Sequence, residues 1–249
     1  MRASRGSPEG QSRVLIIPGL NGHPGLLMRY APTLFPDWTT LAFNHHLDLA
    51  IDGVEGLAER ALALLGEDQT PAFVCGESFG GTIALTLARQ APERVKGLIL
   101  FSAFGWHPSA LARRGVGALR VWSFLAAHVS MPLYQGGRAL SLPGQVGSLP
   151  PRSLLGNYFA RPRAHVAAYR RKAELSLTFD ARPWLPSIAC PTFILVGTRD
   201  PVVPASAGRE LARVIPSATL HRLPGGHLVH LVHVQRVARD IQDWAHSVH

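Results

Sequence analysis

The chain has 249 residues and a mass of 26.9 kDa, which suits one large domain or one domain carrying an insertion. With 47% apolar and 16% charged residues it is too hydrophobic for disorder, yet no run reaches the roughly 18 apolar residues of a membrane span. Its formal charge of +9 arises from 25 basic against 16 acidic residues, and 23 of the basic residues are arginines.

The first twelve residues are polar and lack the apolar stretch of a secretory signal, so a loose tail on a cytoplasmic protein is expected. Residues 14–17 form a short apolar run closed by Pro18-Gly19, which predicts a buried strand meeting a turn. A helix is expected over 25–34, a strand over 39–44, and a helix over 53–65, where Val54, Leu57, Ala58, Ala61, Leu62 and Leu65 recur at helical spacing. Strand 72–76, helix 79–90 and strand 95–101 continue the alternation. Repeated βα units of this kind predict a mostly parallel sheet with helices on both faces.

From 105 to 186 the alternation breaks. Two helical stretches, about 109–129 and 152–176, flank a Gly/Pro-rich connection, and no strand pattern appears. The sheet then resumes with strand 192–196, helix 205–214, strand 219–223 and a closing helix over about 230–245. The expected organisation is therefore a core of 13–104 and 187–249 interrupted by a helical insertion at 105–186. This insertion holds eleven basic residues against Glu174 and Asp180, while the rest of the chain balances at fourteen of each sign.

Cys75 and Cys190 stand 115 positions apart without metal-ligand spacing, and read as reduced core thiols. Twelve histidines likewise show no zinc-site spacing, so no metal and no cofactor is expected.

The chemistry concentrates elsewhere. Gly76-Glu77-Ser78-Phe79-Gly80 follows a strand and opens a helix, the setting in which a serine stands on a sharp turn as a nucleophile. Flanking glycines permit the bend, and the following helix directs N–H groups and its positive dipole end at the reaction centre. A serine nucleophile needs a base, and the base needs an orienting group. Asp200 lies just past the strand 192–196, although its place before Pro201 also suits a plain turn residue. His227 lies behind Gly225-Gly226 in the next strand-to-helix loop. The order Ser78, Asp200, His227 is the one associated with this elbow. His221 falls inside a strand, and His230 and His233 inside the closing helix, which suits packing or surface roles. His23, His45, His46 and His107 lie in loops after other strands, where some would line a pocket. For the oxyanion the expected donors are the backbone N–H groups of Phe79 and Leu20, the latter in the loop after the first strand.

These residues and their register resemble the α/β-hydrolase superfamily from about Val14 to Trp244, with the arginine-rich insertion where the superfamily carries its cap. The elbow and the L-x-x-P-G-L start are similar to small bacterial hydrolases. Departures are Pro18-Gly19 in place of the common His-Gly, the lack of two leading strands, and the lack of an Asp-x-x-Gly-x-Gly turn after Asn44. The resemblance implies acyl transfer: hydrolysis of short- or medium-chain carboxylic esters through an acyl-enzyme. Acyl transfer to another acceptor, thioester or methyl ester hydrolysis on an acyl-carrier protein, and a non-catalytic binding protein are the competing readings.

The insertion's apolar residues, among them Leu111, Trp122, Phe124 and Met131, either roof an acyl pocket or pack the cap on the core. Its positive charge has three readings: a solvated face, attraction of an anionic substrate, or docking of an acidic carrier protein, since the superfamily includes pimeloyl-acyl-carrier-protein methyl esterases with basic caps. Nucleic acid is not expected, because a basic surface without a recognition motif or stacking platform is insufficient.

Overall fold

The computed structural model describes residues 11–48, 50, 52–107 and 162–248. Six strands are hydrogen-bonded in the order β2-β1-β3-β4-β5-β6, and every pairing is parallel. They are β1 (Arg13–Ile17), β2 (Thr39–Ala42), β3 (Ala72–Glu77), β4 (Val95–Phe101), β5 (Thr192–Gly197) and β6 (Ala218–Leu223). Seven α-helices belong to the described residues: α1 (Gly25–Leu34), α2 (Val54–Ala63), α3 (Phe79–Gln90), α4 (Pro162–Thr178), α5 (Ala205–Val214), α6 (Val229–Val232) and α7 (Val234–Ser247).

The continuous apolar runs of the central strands reflect burial on both faces, with side chains alternating between two cores. Leu15, Ile17, Val74, Leu98, Leu100, Ile194 and Val196 pack with α2, α3 and α5 on one face. Val14, Ile16, Phe73, Cys75, Ile99, Phe101, Phe193 and Leu195 pack with α1 and α7 on the other. A one-residue slip of any central strand would exchange these two sets, so the register is strongly specified.

The strand order reverses direction between β1 and β3, because β2 lies outside β1 while β3 and all later strands lie on its other side. Chain leaving the carboxyl ends of β1 and β3 diverges there, opening the crevice in which parallel α/β sheets bind ligands. The elbow and the Pro18-Gly19 loop stand at those two strand ends.

Two expected elements differ from the structure. The closing helix is broken into α6 and α7 at His233, whose φ of −110° and ψ of 35° are not helical. The preceding residues 224–228 are a loop, so the chain needs one extra corner before α7 can lay Val237, Ile241 and Trp244 on the sheet. The second helix is shorter than its apolar spacing predicts: Leu65 still packs inward, but from a turn after Ala63 closed by Gly66 at φ 71°.

The expected helix 109–129, the Gly/Pro-rich connection and the start of the helix at 152 lie outside the described residues. At the base of this region Trp106 and Asp180 form an isolated antiparallel bridge, and Ala181 N–H donates to Gly105 O at 2.7 Å. The Arg182 guanidinium lies 5.4 Å from the Trp106 ring centroid. Both thiols are free, Cys75 buried and Cys190 half-buried. Among the described residues no helix is long and apolar enough to cross a membrane.

Candidate active site

Ser78 joins β3 directly to α3 at φ 54° and ψ −120°, a conformation that costs a non-glycine residue energy and persists where packing enforces it. The enforcement is visible. Ser78 N–H donates to Phe101 O at 2.9 Å, and Gly81 N–H to Ser78 O at 2.9 Å. A side chain at Gly76 would fall 2.6 Å from Gly80 O, and one at Gly80 would fall 2.2 Å from Ile17 O. The two elbow glycines therefore let α3 sit against both its own strand and β1. Phe79 is the first residue of α3, so its N–H is among those left without an intrahelical acceptor.

Gly19, in the loop after β1, lies beside the serine: a Cβ there would stand 3.4 Å from Ser78 Cβ and 4.0 Å from Ser78 Oγ. A turn closed by Gly22 N–H donating to Gly19 O at 2.9 Å holds this loop, with Leu20 at its head. The loop after β1 thus lies against Ser78 through Gly19, with Leu20 next in the chain.

Asp200 and His227 are brought together across 27 residues. His227 Nδ1 donates to Asp200 Oδ2 at 2.8 Å, with the carboxylate side chain fully buried and the imidazole 13% exposed. Asp200 Oδ1 accepts the N–H groups of Val202 at 2.8 Å and Val203 at 3.0 Å, so both oxygens are engaged and the carboxyl group is held in place. The acid loop is also stitched to the histidine loop. Thr198 N–H donates to Leu223 O and Arg199 N–H to Gly225 O, each at 2.9 Å. The approach is close enough that a Cβ at Gly197 would meet Gly226 O at 2.3 Å. Among the described residues no hydrogen bond links Ser78 Oγ to His227.

Ser102 was not foreseen from the sequence. It follows β4 at φ 47°, its N–H donates to Leu195 O at 2.9 Å, and its Oγ donates to His227 O at 3.0 Å. With Phe101 O bonded to Ser78, the carboxyl end of β4 touches the serine, the strand carrying the acid, and the histidine loop. No motif marks such a serine, because its significance lies in contacts with main-chain atoms.

His230 is fully buried and stacked on Phe101 at 4.6 Å, and burial pushes its pKa down to about 3, with His227 adding to the shift. His45 is likewise lowered to about 3, first by burial and then by the Lys172 charge. Burial also lowers His23 and His46. Lys172 of α4 is lowered to about 7 by burial, against the opposing pull of Asp48. Both thiols are raised by burial, Cys190 to about 11. Among the described residues no group of three His, Cys, Asp or Glu side chains is arranged to hold a metal.

Comparison with known proteins agrees with this architecture. The family model described as serine aminopeptidase S33 matches residues 43–235. A magnesium-chelatase 30 kDa subunit of Rhodobacter capsulatus is 31% identical over 240 residues, covering 91% of this chain and 83% of that protein. A pimeloyl-[acyl-carrier protein] methyl ester esterase of Chromobacterium violaceum is 29% identical over 246 residues, covering 92% of each. Among solved structures, an enol-lactonase from Burkholderia xenovorans superposes with a TM-score of 0.72 at 18% identity, covering 94% of this chain and 91% of that one. The chain belongs to the serine aminopeptidase S33 family of α/β-hydrolase enzymes.

Proposed function

We propose that the protein is a serine hydrolase cleaving carboxylic esters of short or medium acyl chains. Ser78 Oγ attacks the ester carbonyl while His227 Nε2 takes its proton. The resulting oxyanion is met by the N–H groups of Phe79 and Leu20. His227 then returns the proton to the leaving alcohol, and water activated by the same imidazole releases the acid from the acyl-enzyme. Asp200 fixes the tautomer with the proton on Nδ1 and stabilises the imidazolium. The observation that carries this reading is the 2.8 Å bond from His227 Nδ1 to a fully buried, doubly anchored Asp200. It lies at the same carboxyl edge of the parallel sheet as the serine held at positive φ after β3. No cofactor or metal enters the reaction.

The test is hydrolysis of p-nitrophenyl esters from acetate to palmitate by wild type and Ser78→Ala. Turnover that shows a chain-length optimum and falls by at least about a thousandfold in the variant is the expected outcome. Most of the activity surviving in folded Ser78→Ala would remove the nucleophile assignment.

A second reading keeps the triad and changes the leaving group: a thioesterase, acyltransferase or methyl esterase acting on an acyl chain carried by an acidic carrier protein. What favours it is the 29% identical methyl ester esterase from C. violaceum, together with a 26% identical one from Neisseria meningitidis that covers 99% of this chain. The excess basic charge of residues 105–186 supplies the complementary surface in that reading.

A further inference from the structure

Lys172 is a buried cation that the proposed chemistry does not use. It stands on α4, the first described element after residues 108–161. It is 1% exposed, and its Nζ donates to the carbonyl oxygens of His45 at 3.2 Å and His46 at 3.3 Å. Among the described residues it forms no salt bridge. Asp48, the acidic side chain that acts on it, is itself paired with Arg60 at 2.9 Å. An ammonium buried on two carbonyls is a costly way to fasten a helix, since a methionine would fill the same space without desolvating a charge.

The two carbonyls belong to a segment fastened to the loop beside Ser78. His45 N–H donates to Gly22 O at 2.9 Å, His45 Nε2 donates to Pro18 O at 3.2 Å, and His46 Nδ1 donates to Asn21 O at 2.7 Å. Gly22, at φ 72°, approaches so closely that a Cβ there would fall 2.6 Å from the His45 carbonyl carbon. Residues 45 and 46 therefore grip residues 18, 21 and 22 from behind, leaving Leu20 at the head of the loop between them.

We propose that Lys172 is a positioning residue of the oxyanion loop, clamping residues 45 and 46 from the side of α4 so that residues 18–22 present the Leu20 N–H toward Ser78. The inference rests on the reading of Ser78 as nucleophile and Leu20 as oxyanion donor. It assigns the buried charge a role in catalysis and not in stability. Removing the charge is therefore expected to leave the fold intact or strengthen it while the reaction slows.

The test uses the full chain and a fluorophosphonate probe, whose attack by serine also develops charge on oxygen, with labelling followed by intact mass. Wild type is expected to take one label and Ser78→Ala none. Lys172→Met is expected to label about 10- to 100-fold more slowly, with a Tm equal to or above that of wild type. Amide exchange over residues 18–22 is expected to accelerate, while β3 and β4 stay protected. Labelling of Lys172→Met at the wild-type rate overturns the inference, as does slow labelling with a lowered Tm or with unchanged exchange in that loop. Labelling of Ser78→Ala, or none of wild type, overturns the nucleophile reading itself and the inference with it.

Discussion

His45 and His230 are 1% and 0% exposed, and burial lowers both to a pKa of about 3 against an ordinary 6.5. Between those values the unfolded chain binds protons that the folded chain refuses, so stability falls as pH drops below 6.5. From pH 6.5 to about pH 5 each histidine contributes a loss on the order of 1 to 2 kcal/mol, the slope rising toward about 1.4 kcal/mol per pH unit as the unfolded ring becomes fully protonated. Neither ring nitrogen of His230 has a hydrogen-bond partner among the described residues. Replacing it with a leucine of similar volume removes both the titration and two unsatisfied polar atoms. His230→Leu is expected to reduce the pH dependence of stability over this range, the remainder coming from His45 and the other lowered histidines, and to be at least as stable as wild type at pH 5, measured by urea unfolding. A variant with undiminished slope would place the acid sensitivity elsewhere. At this scale the pairing of Asp200 with His227 and the sharp turn at Ser78 were legible, since each of the three follows a strand in a turn of characteristic composition. Ser102 and Lys172 were not, because both act on carbonyl oxygens that any residue would supply.

At the scale of elements, the site depends on how closely α3 approaches the sheet. Gly80 has no room for even a methyl group, since its Cβ would lie 2.2 Å from Ile17 O and 2.6 Å from Pro18 O, both main-chain atoms without a flexible escape. Gly80→Ala is expected to cost about 2 to 3 kcal/mol and to displace the Pro18 loop from Ser78, reducing activity beyond the fraction unfolded. Denaturant midpoints measured beside ester turnover check this. An alanine variant with wild-type stability would show that the elbow can relax. The strands themselves were readable to within a residue or two, because the central strands are buried on both faces and are nearly continuous apolar runs, and the edge strands follow at the regular βα spacing. The closing helix was not, because a period of 3.6 says nothing about a corner. His233 breaks the helix where its Nε2 donates to Pro224 O at 2.8 Å, a contact with a loop nine residues earlier.

At the scale of the molecule, charge is distributed unevenly: all the formal excess of +9 lies in residues 105–186, and the remainder is balanced. An acidic carrier drawn to that segment would be steered by a field that salt screens, whereas a small neutral ester would not. If the second reading holds, kcat/KM on carrier-bound substrate is expected to fall by about tenfold or more between 50 and 500 mM salt, while p-nitrophenyl ester hydrolysis changes by less than about twofold. Equal responses would leave the charge as a solvated face.

Apolar periodicity and turn composition are local properties of the chain, and they were enough for the class of fold and for the chain order of the candidate site residues. The tertiary structure decided which groups meet. Parallel pairing placed Gly19 against Ser78 and carried the Asp200 loop to His227. The return of α4 onto the core brought Lys172 to the carbonyls of His45 and His46, more than a hundred residues away in the chain. Such contacts depend on how layers pack and on which main-chain atoms are left facing one another, and no single stretch of sequence contains that information.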